Sequence, residues 1–525
     1  MSKAKSHPGT RPVVLLVCDG FGSAPAGLQG NAVLMADMPN FMRLWENYPH
    51  TELFANGQHV GLPKRQPGNS EAGHMNIGAG RIVKQDAVYV TESIEDGTFY
   101  KNTAFLEVMK HLKKYGTAAH LLGMISSGKS AHSSLDHLYG LIELCRRHKV
   151  KEVFLHLFSD GRDGPRFAAT AQIHEIEGRL QANEKIASIM GRFYAMDRNK
   201  NWPRLDLAFH AIVNGEGLAV HDAETALLQA YNRGESDEFI VPSVIVDKEF
   251  RPLGMIGDND GVFFFNLRSD RARQLTKPFI QPDFEKDNPG AFKRRRKPKN
   301  IRFAAMTDFG PDLPHVLTAF PSREIRKTLP ETLSEYRQLY VAESEKFSHI
   351  TYFFNGGAAQ ARKNEDRLKI PSLQIPRYDM RPEMRAKEIA SAVVAKLKGN
   401  GYHFIAANFA NADMVAHTGN LDAAIEAMET LDECLGDIWQ AVKEADGYLI
   451  VTADHGNVEE MIDVATGAIQ TEHSGFPVPF VVAGRDLKGY RELPRGVLAD
   501  VAPTILGLMG VHQPDEMTGR SLLSE

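Results

Sequence analysis

Val13-Val14-Leu15-Leu16-Val17-Cys18-Asp19-Gly20-Phe21-Gly22 decides the fold. Six apolar residues run without polar alternation, the mark of a strand buried on both faces of a parallel sheet, and the run stops at an acidic turn. Ligands of open α/β sheets collect at the carboxyl ends of strands, so Asp19 stands where a metal ligand would; a plain Asp-Gly turn is the other reading. Two later runs repeat the pattern. Phe404–Phe409 leads into Ala410-Asn411-Ala412-Asp413-Met414-Val415-Ala416-His417, and Tyr448–Thr452 leads into Ala453-Asp454-His455-Gly456-Asn457. Asp413 and His417 lie four apart, on one side of a helical turn, where they can share an ion. Asp454 and His455 are adjacent, so their spacing predicts side chains that point apart, toward a pair of ions. His473, in Glu472-His473-Ser474-Gly475, completes six ligand-type residues. Mixed imidazole and carboxylate sets suit Mn, Zn, Co or Fe better than Ca.

A serine stands ready for such ions to activate. In Gly68-Asn69-Ser70-Glu71-Ala72-Gly73-His74-Met75-Asn76-Ile77-Gly78-Ala79-Gly80, Ser70 follows a turn and opens a helix, where free N–H groups and the dipole favour added negative charge. It reads either as a nucleophile or as a simple N-cap, because a serine hydroxyl attacks only when a base or metal ionises it.

Between these segments the pattern alternates. Strands are predicted at 119–124, 153–158, 239–241, 262–265 and 301–305, with helices at 135–147, 168–181 and 223–231. Arginines cluster beside the strand ends: Arg162 with Asp163 in Asp160-Gly161-Arg162-Asp163-Gly164-Pro165, then Arg192, Arg198, Arg268 and Arg271. Guanidinium groups so placed can bind phosphate and carboxylate bidentately, or can form surface ion pairs. His132 lies in a small-residue loop before a helix, as an acid/base group or as an ordinary loop histidine. The basic run Lys293-Arg294-Arg295-Arg296-Lys297-Pro298-Lys299 reads as a solvated loop, with nucleic-acid binding as the rival. Beyond a turn-rich linker, 350–354 is predicted as a strand just after Lys346, and helices are predicted at 384–397, from Leu421 onward, and at 498–509.

Composition narrows the class. The 525 residues are 43% hydrophobic and 24% charged, with a net charge of −5, which exerts no global pull toward nucleic acid or anionic membrane. No stretch reaches the ~20 apolar residues of a membrane helix, and the N-terminal residues lack a signal-peptide run. Three widely spaced cysteines argue against a disulfide framework and for a reducing compartment, so the expected location is cytoplasmic.

Across nearly its whole length the sequence resembles the cofactor-independent (2,3-bisphosphoglycerate-independent) phosphoglycerate mutases of the alkaline phosphatase superfamily. The motifs are Asn69-Ser70-Glu71-Ala72-Gly73-His74, Asp160-Gly161-Arg162-Asp163, Asp413-Met414-Val415-Ala416-His417-Thr418-Gly419 and Thr452-Ala453-Asp454-His455-Gly456-Asn457. The resemblance implies an α/β fold in which an alkaline-phosphatase-like α/β/α sandwich, residues 1–85 and 318–525, is split by an inserted α/β transferase domain, 86–310, with a linker at 311–317. It implies two divalent ions, Mn²⁺ first and Co²⁺, Mg²⁺ or Zn²⁺ as alternatives. One ion would be held by Asp413, His417 and His473, and the other by Asp19, Ser70, Asp454 and His455. Ser70 would carry the phosphoryl group, and Arg162, Asp163, Arg192, Arg198, Arg268, Arg271, His132 and Lys346 would surround 3-phosphoglycerate or 2-phosphoglycerate, with Asp163 moving a proton. It further implies a monomer that needs no added bisphosphoglycerate and binds neither nucleic acid nor membrane. A metal-dependent phosphomonoesterase, or another phosphosugar mutase of the superfamily, is the rival reading. One departure stands out: where the family has Gly-Gly-Val-His-Ser-His, this chain has Lys129-Ser130-Ala131-His132-Ser133-Ser134.

Overall fold

In the computed structural model, Val13–Cys18 is fully buried and lies near the middle of a mixed sheet. It pairs in parallel with Phe404–Phe409 on one side and Tyr448–Thr452 on the other, in registers Val13↔Phe404 and Val13↔Tyr448. The structure describes residues 11–523 except 65, 127–129, 314, 400, 464–465 and 490. Lys129 of the histidine loop therefore lies outside the described residues.

The chain forms two units, Met1–Gln85 with Arg323–Glu525, and Asp86–Ser322. In the first, the sheet continues outward from Phe404–Phe409 through Gln338–Glu343 to Glu365–Ile370, all parallel. On the other side Val478–Gly484 runs antiparallel to both Tyr448–Thr452 and Pro49–Phe54. The helix Leu421–Glu444 buries Met428, Leu431, Leu435, Ile438 and Val442, the three-and-four spacing that its sequence predicts. It packs on Ala386–Lys398 and on Tyr448–Thr452, while Val501–Met509 packs on the helix Ser70–Ala79 and on Val13–Cys18. Three of the inner strands thus deliver Asp19, Asp413 and Asp454 to one end of the sheet.

The second unit has its own sheet, in the order Leu317–Phe320, Arg302–Thr307, Gly261–Phe264, Ala119–Met124, Val153–Ser159, Glu184–Gly191, Ser243–Ile245, Leu218–Val220. Pairing is parallel except between Glu184–Gly191 and Ser243–Ile245. Its apolar side chains fall into two separate clusters, as a sheet covered on both faces requires.

Three expectations are corrected. Residues 239–241 are not a strand. Asp237 accepts from Ala168 N and Ala169 N at 2.8 and 2.9 Å, drawing Asp237–Phe239 into a 3₁₀ turn, and the strand starts at Ser243, after Pro242, which has no N–H to give a ladder. Residues 350–354 are not a strand either: His349–Phe353 forms a π-helical turn, because Ile350 and Phe354, four apart, both point into the core while Tyr352 is exposed. The linker at 311–317, with 318 opening the first unit, is displaced. Leu317–Phe320 pairs in parallel with Arg302–Thr307, so the chain leaves the second unit only at Ser322.

The basic run folds onto the second unit. Arg294 donates to the carbonyls of Pro278, Gln281 and Pro282 at the end of helix Ser269–Ile280 and pairs with Glu285, Lys297 reaches Gln281 O, and Arg295 pairs with Glu216. Among the described residues no helix is long and apolar enough to cross a membrane.

Candidate active site

In the first unit, Ser70 is the first residue of its helix rather than the cap. Asn69 is the cap, its side chain accepting from Ala72 N at 2.9 Å, and this leaves the Ser70 hydroxyl for other partners. Ser70 Oγ donates to Asp19 Oδ1 at 3.2 Å, lies 3.0 Å from His455 Nε2 and accepts from Lys346 Nζ at 2.8 Å. Lys346 also donates to Asp19 Oδ1 at 2.7 Å and Asp413 Oδ2 at 2.6 Å. Its place is set by the same turn that the sequence misreads, since His349 N and Ile350 N both bond to the Lys346 carbonyl.

Two sets of ligand atoms flank this ammonium. Asp413 Oδ1, His417 Nε2 and His473 Nε2 form a triangle with every edge 3.2 Å. Ligands at 2.0–2.2 Å around a tetrahedral ion stand about 3.3–3.6 Å apart, so the triangle matches one face of such a shell. The rings are oriented for it. His417 Nδ1 faces Thr471 O at 2.7 Å and His473 Nδ1 faces Gly68 O at 2.8 Å, and with those protons donated the facing Nε2 lone pairs repel unless a cation lies between them.

Asp19, Asp454 and His455 make the second set, with His455 Nε2 3.4 Å from Asp19 Oδ1 and 3.6 Å from Asp454 Oδ2. The adjacent pair therefore converges instead of pointing apart. Asp454 Oδ1 turns back to accept from His455 N and Gly20 N, which aims both side chains inward. Asp454 Oδ2 is buried without a hydrogen bond: His74 Nδ1 is 3.1 Å away but bonds to Ser70 O at 2.9 Å. A buried carboxylate oxygen without a donor fits a divalent cation here, as the facing His417 and His473 rings do in the first set.

Charge is concentrated here. Burial pushes the Asp19 and Asp413 carboxyls up, yet Lys346 holds both well below the ordinary range. Burial likewise opposes the Lys346 charge, and Asp19 and Asp413 override it and keep it an ammonium. His455, pushed down by burial, is carried up to about 9 mainly by Asp454.

The second unit gathers the other set at the ends of Val153–Ser159, Glu184–Gly191 and Gly261–Phe264. Arg192 is buried and donates through one nitrogen to Asp160 Oδ1 at 2.6 Å, with Asp163 Oδ2 2.9 Å away. Asp163 also accepts from Ser130 Oγ at 2.7 Å and lies 3.8 Å from His132 Nε2. Burial raises the Asp163 carboxyl, but Arg192 and Ser130 pull it below the usual range. Burial, then Arg192 and Arg268, push His132 down, so the imidazole is neutral, with a buried Nδ1 that finds no partner. Arg268 caps helix Ser269–Ile280 directly after Leu267, whose N–H bonds to His132 O.

Arg162, Arg192, Arg198 and Arg271 line one cavity of about 300 Å³ together with Arg204. Arg162 and Arg198 are exposed and loosely paired with Glu238 and Asp270. Burial, then Arg198 and Arg192, lower the Arg271 guanidinium, the mark of cations that lack enough counter-charge. The family's second loop histidine is here Ser134, whose Oγ caps helix Leu135–Arg147 by accepting from Asp136 N at 3.2 Å.

The expected residues thus fall into two groups, Asp19, Ser70, Lys346, Asp413, His417, Asp454, His455 and His473 in one unit, and His132, Asp163 and the arginines in the other. Lys346, expected around the substrate, sits between the two ligand sets. Sequence reasoning passed over Asn408, whose Nδ2 donates to Asp19 Oδ2 at 2.8 Å, and His74, which holds Ser70 O. Asn408 was visible as the polar residue of an apolar run. Asp160 ends its strand as Asp19 does, whereas Arg204 carries no sequence signal.

Comparison with known proteins agrees with this geometry. Residues 11–513 match the model of the metalloenzyme superfamily. The chain is 43% identical over 519 residues to 2,3-bisphosphoglycerate-independent phosphoglycerate mutase of Clostridium perfringens, covering 98% of this chain and 99% of that protein. It is 45% identical over 518 residues to that of Clostridium acetobutylicum, again covering 98% and 99%. A crystal structure of Leishmania mexicana phosphoglycerate mutase at low cobalt concentration superposes with a TM-score of 0.76 at 31% identity, over 98% of both chains. With its serine, its two ligand sets and its arginine-lined cavity, the chain belongs to the 2,3-bisphosphoglycerate-independent phosphoglycerate mutase family, within the metalloenzyme superfamily.

Proposed function

We propose that the chain interconverts 3-phosphoglycerate and 2-phosphoglycerate through a phosphoserine at Ser70. The observation that carries this reading is the Ser70 hydroxyl, held within 3.2 Å of Asp19, His455 and Lys346 between two ligand sets. Asp413, His417 and His473 would hold one divalent ion, and Asp19, Ser70, Asp454 and His455 the other, with Mn²⁺ as first choice over Co²⁺, Mg²⁺ or Zn²⁺. Bound there, the ions supply charge neutralisation and lower the pKa of the serine hydroxyl.

The residues divide the work. Ser70 Oγ forms the new bond to phosphorus as the bond to the 3-oxygen breaks, and the Lys346 ammonium stabilises charge on the transferring oxygens. The departing 3-oxygen takes up one proton for the one that the Ser70 hydroxyl gives up, leaving glycerate. The arginines bind its carboxylate and the substrate's phosphate. Asp163, kept ionised by Arg192, takes the proton of the 2-hydroxyl as that oxygen attacks phosphoserine and the bond from phosphorus to Ser70 Oγ breaks, freeing the serine, and neutral His132 donates a hydrogen bond or accepts one beside it. The first unit thereby performs phosphoryl transfer and the second holds the substrate. The chain acts as a cytoplasmic monomer on a small molecule, without nucleic acid, membrane or added bisphosphoglycerate.

Metal-stripped protein resupplied with Mn²⁺ should convert 3-phosphoglycerate to 2-phosphoglycerate and release little free phosphate. Phosphate release without isomerisation would replace this reading with a phosphomonoesterase.

A further inference from the structure

Outside the ligand sets, one carboxylate touches the loops that follow Asp19, Asp454–His455 and His473. Glu459 is fully buried. Its Oε2 accepts from Gly22 N at 3.0 Å and Asn457 N at 2.8 Å, and its Oε1 accepts from Ser474 Oγ. Gly22 comes three residues after Asp19, Asn457 two after His455, and Ser474 directly after His473. Asn457 extends the link by donating Nδ2 to Asp413 Oδ1 at 2.9 Å.

Two glycines record how closely this carboxylate is seated. A Cβ at Gly22 or at Gly456 would land on the Glu459 carboxylate, and neither residue has positive φ, so glycine is required there by close approach and not by backbone angle. The chemistry of the partners fixes the residue type as well. Three donors converge, two backbone N–H groups and one hydroxyl, and only a carboxylate offers both oxygens as acceptors. Glutamine has the same shape but must turn its NH₂ either toward Ser474, leaving the buried hydroxyl without an acceptor, or toward the two N–H groups.

We propose that Glu459 is a positioning residue that ties the Asp19, Asp454–His455 and His473 loops into one block, so that the two ions are held jointly. The inference rests on the reading of the ligand sets as a two-ion site. Loss of a ligand would empty one site, whereas loss of this tie loosens both together. Partners behind metal ligands commonly set affinity by about 10–100-fold.

The test is a Co²⁺ titration of the full-length chelated protein, followed by calorimetry and by the visible d–d bands. Wild type should bind two equivalents; no binding would sink the two-ion reading itself and leave the tie without a purpose. Glu459→Ala, which removes both acceptor oxygens and keeps native far-UV circular dichroism, should raise both dissociation constants about tenfold or more and shift both sets of bands. A folded Glu459→Ala protein with unchanged constants and bands, or with only one site weakened, overturns the proposal. Should that variant not fold, Ser474→Ala decides: it removes one arm of the tie and should weaken the ion held by Asp413, His417 and His473, and an unchanged titration overturns the proposal equally.

Discussion

The serine cluster of the first unit and the arginine group of the second are built in opposite ways. Asp19, Ser70, Lys346, Asp413, Asp454 and His455 are all buried, and each is anchored within a residue or a few of a strand end or helix start. In the second unit Arg192 and His132 are buried, but the side chains of Arg162 and Arg198 are 56% and 54% exposed. The contrast follows from the tasks. Charge that develops on a transferring phosphoryl group is stabilised best by groups that need not reorganise, whereas a group that admits a substrate and lets it turn keeps long cations at its rim.

The largest effect should come from the fixed side. Ser70→Ala should lower kcat by about 10⁴-fold or more and abolish labelling of the protein by phosphate-labelled 3-phosphoglycerate, as removal of a nucleophile does. A variant that still isomerised at wild-type rate would break the assignment. Lys346→Met should leave Asp19 and Asp413 buried without their ammonium and cost the chelated protein about 3–5 kcal/mol in urea unfolding. Saturating Mn²⁺ should recover part of that loss, because cations then take over the same carboxylates.

Within the second unit the contrast repeats on a smaller scale. Arg192→Ala should reduce kcat/KM by about 10²–10³-fold, as removal of a preorganised donor does. Arg198→Ala, at the rim, should cost about tenfold or less, mostly through KM. Equal losses would erase the distinction between buried and rim cations. The smallest effect concerns pH. His132 is held below its ordinary value, so its neutral form stabilises the fold above the unfolded pKa of about 6.5, and that contribution is lost as pH falls. Urea unfolding at pH 7.5 and 5 should therefore show wild type losing more stability than His132→Gln. A wild-type rate profile with a limb that disappears in His132→Gln would contradict a neutral His132.

Much of the fixed site was readable because short apolar strands end abruptly in acidic residues, as at Asp19 and Asp454, and because four-residue spacing is unambiguous at Asp413 and His417. Where local pattern and tertiary packing disagree, reading failed. Ile350 to Phe354 has strand composition but buries a four-residue spacing, and that one error concealed why Lys346 points where it does. Pro49–Phe54 and Val478–Gly484 are joined only across hundreds of residues, so no local signal marks their antiparallel pairing. Glu459 was invisible for a related reason: in sequence it is one of two glutamates in a loop, and although Asn457 is its near neighbour, nothing local marks its bonds to Ser474 and to Gly22, 437 residues back.

The central strand has a consequence during synthesis. Val13–Cys18 leaves the ribosome long before both of its neighbours, which begin at Phe404 and Tyr448, 391 and 435 residues after Val13. At about 5–20 residues per second, an apolar strand waits roughly 20–80 s for its first partner while the second unit, complete by Ser322, is already free to fold. The nascent chain is thus most prone to clump in the interval between release of the second unit and arrival of Phe404, and a holdase acting in that window would do more for yield than one acting after termination.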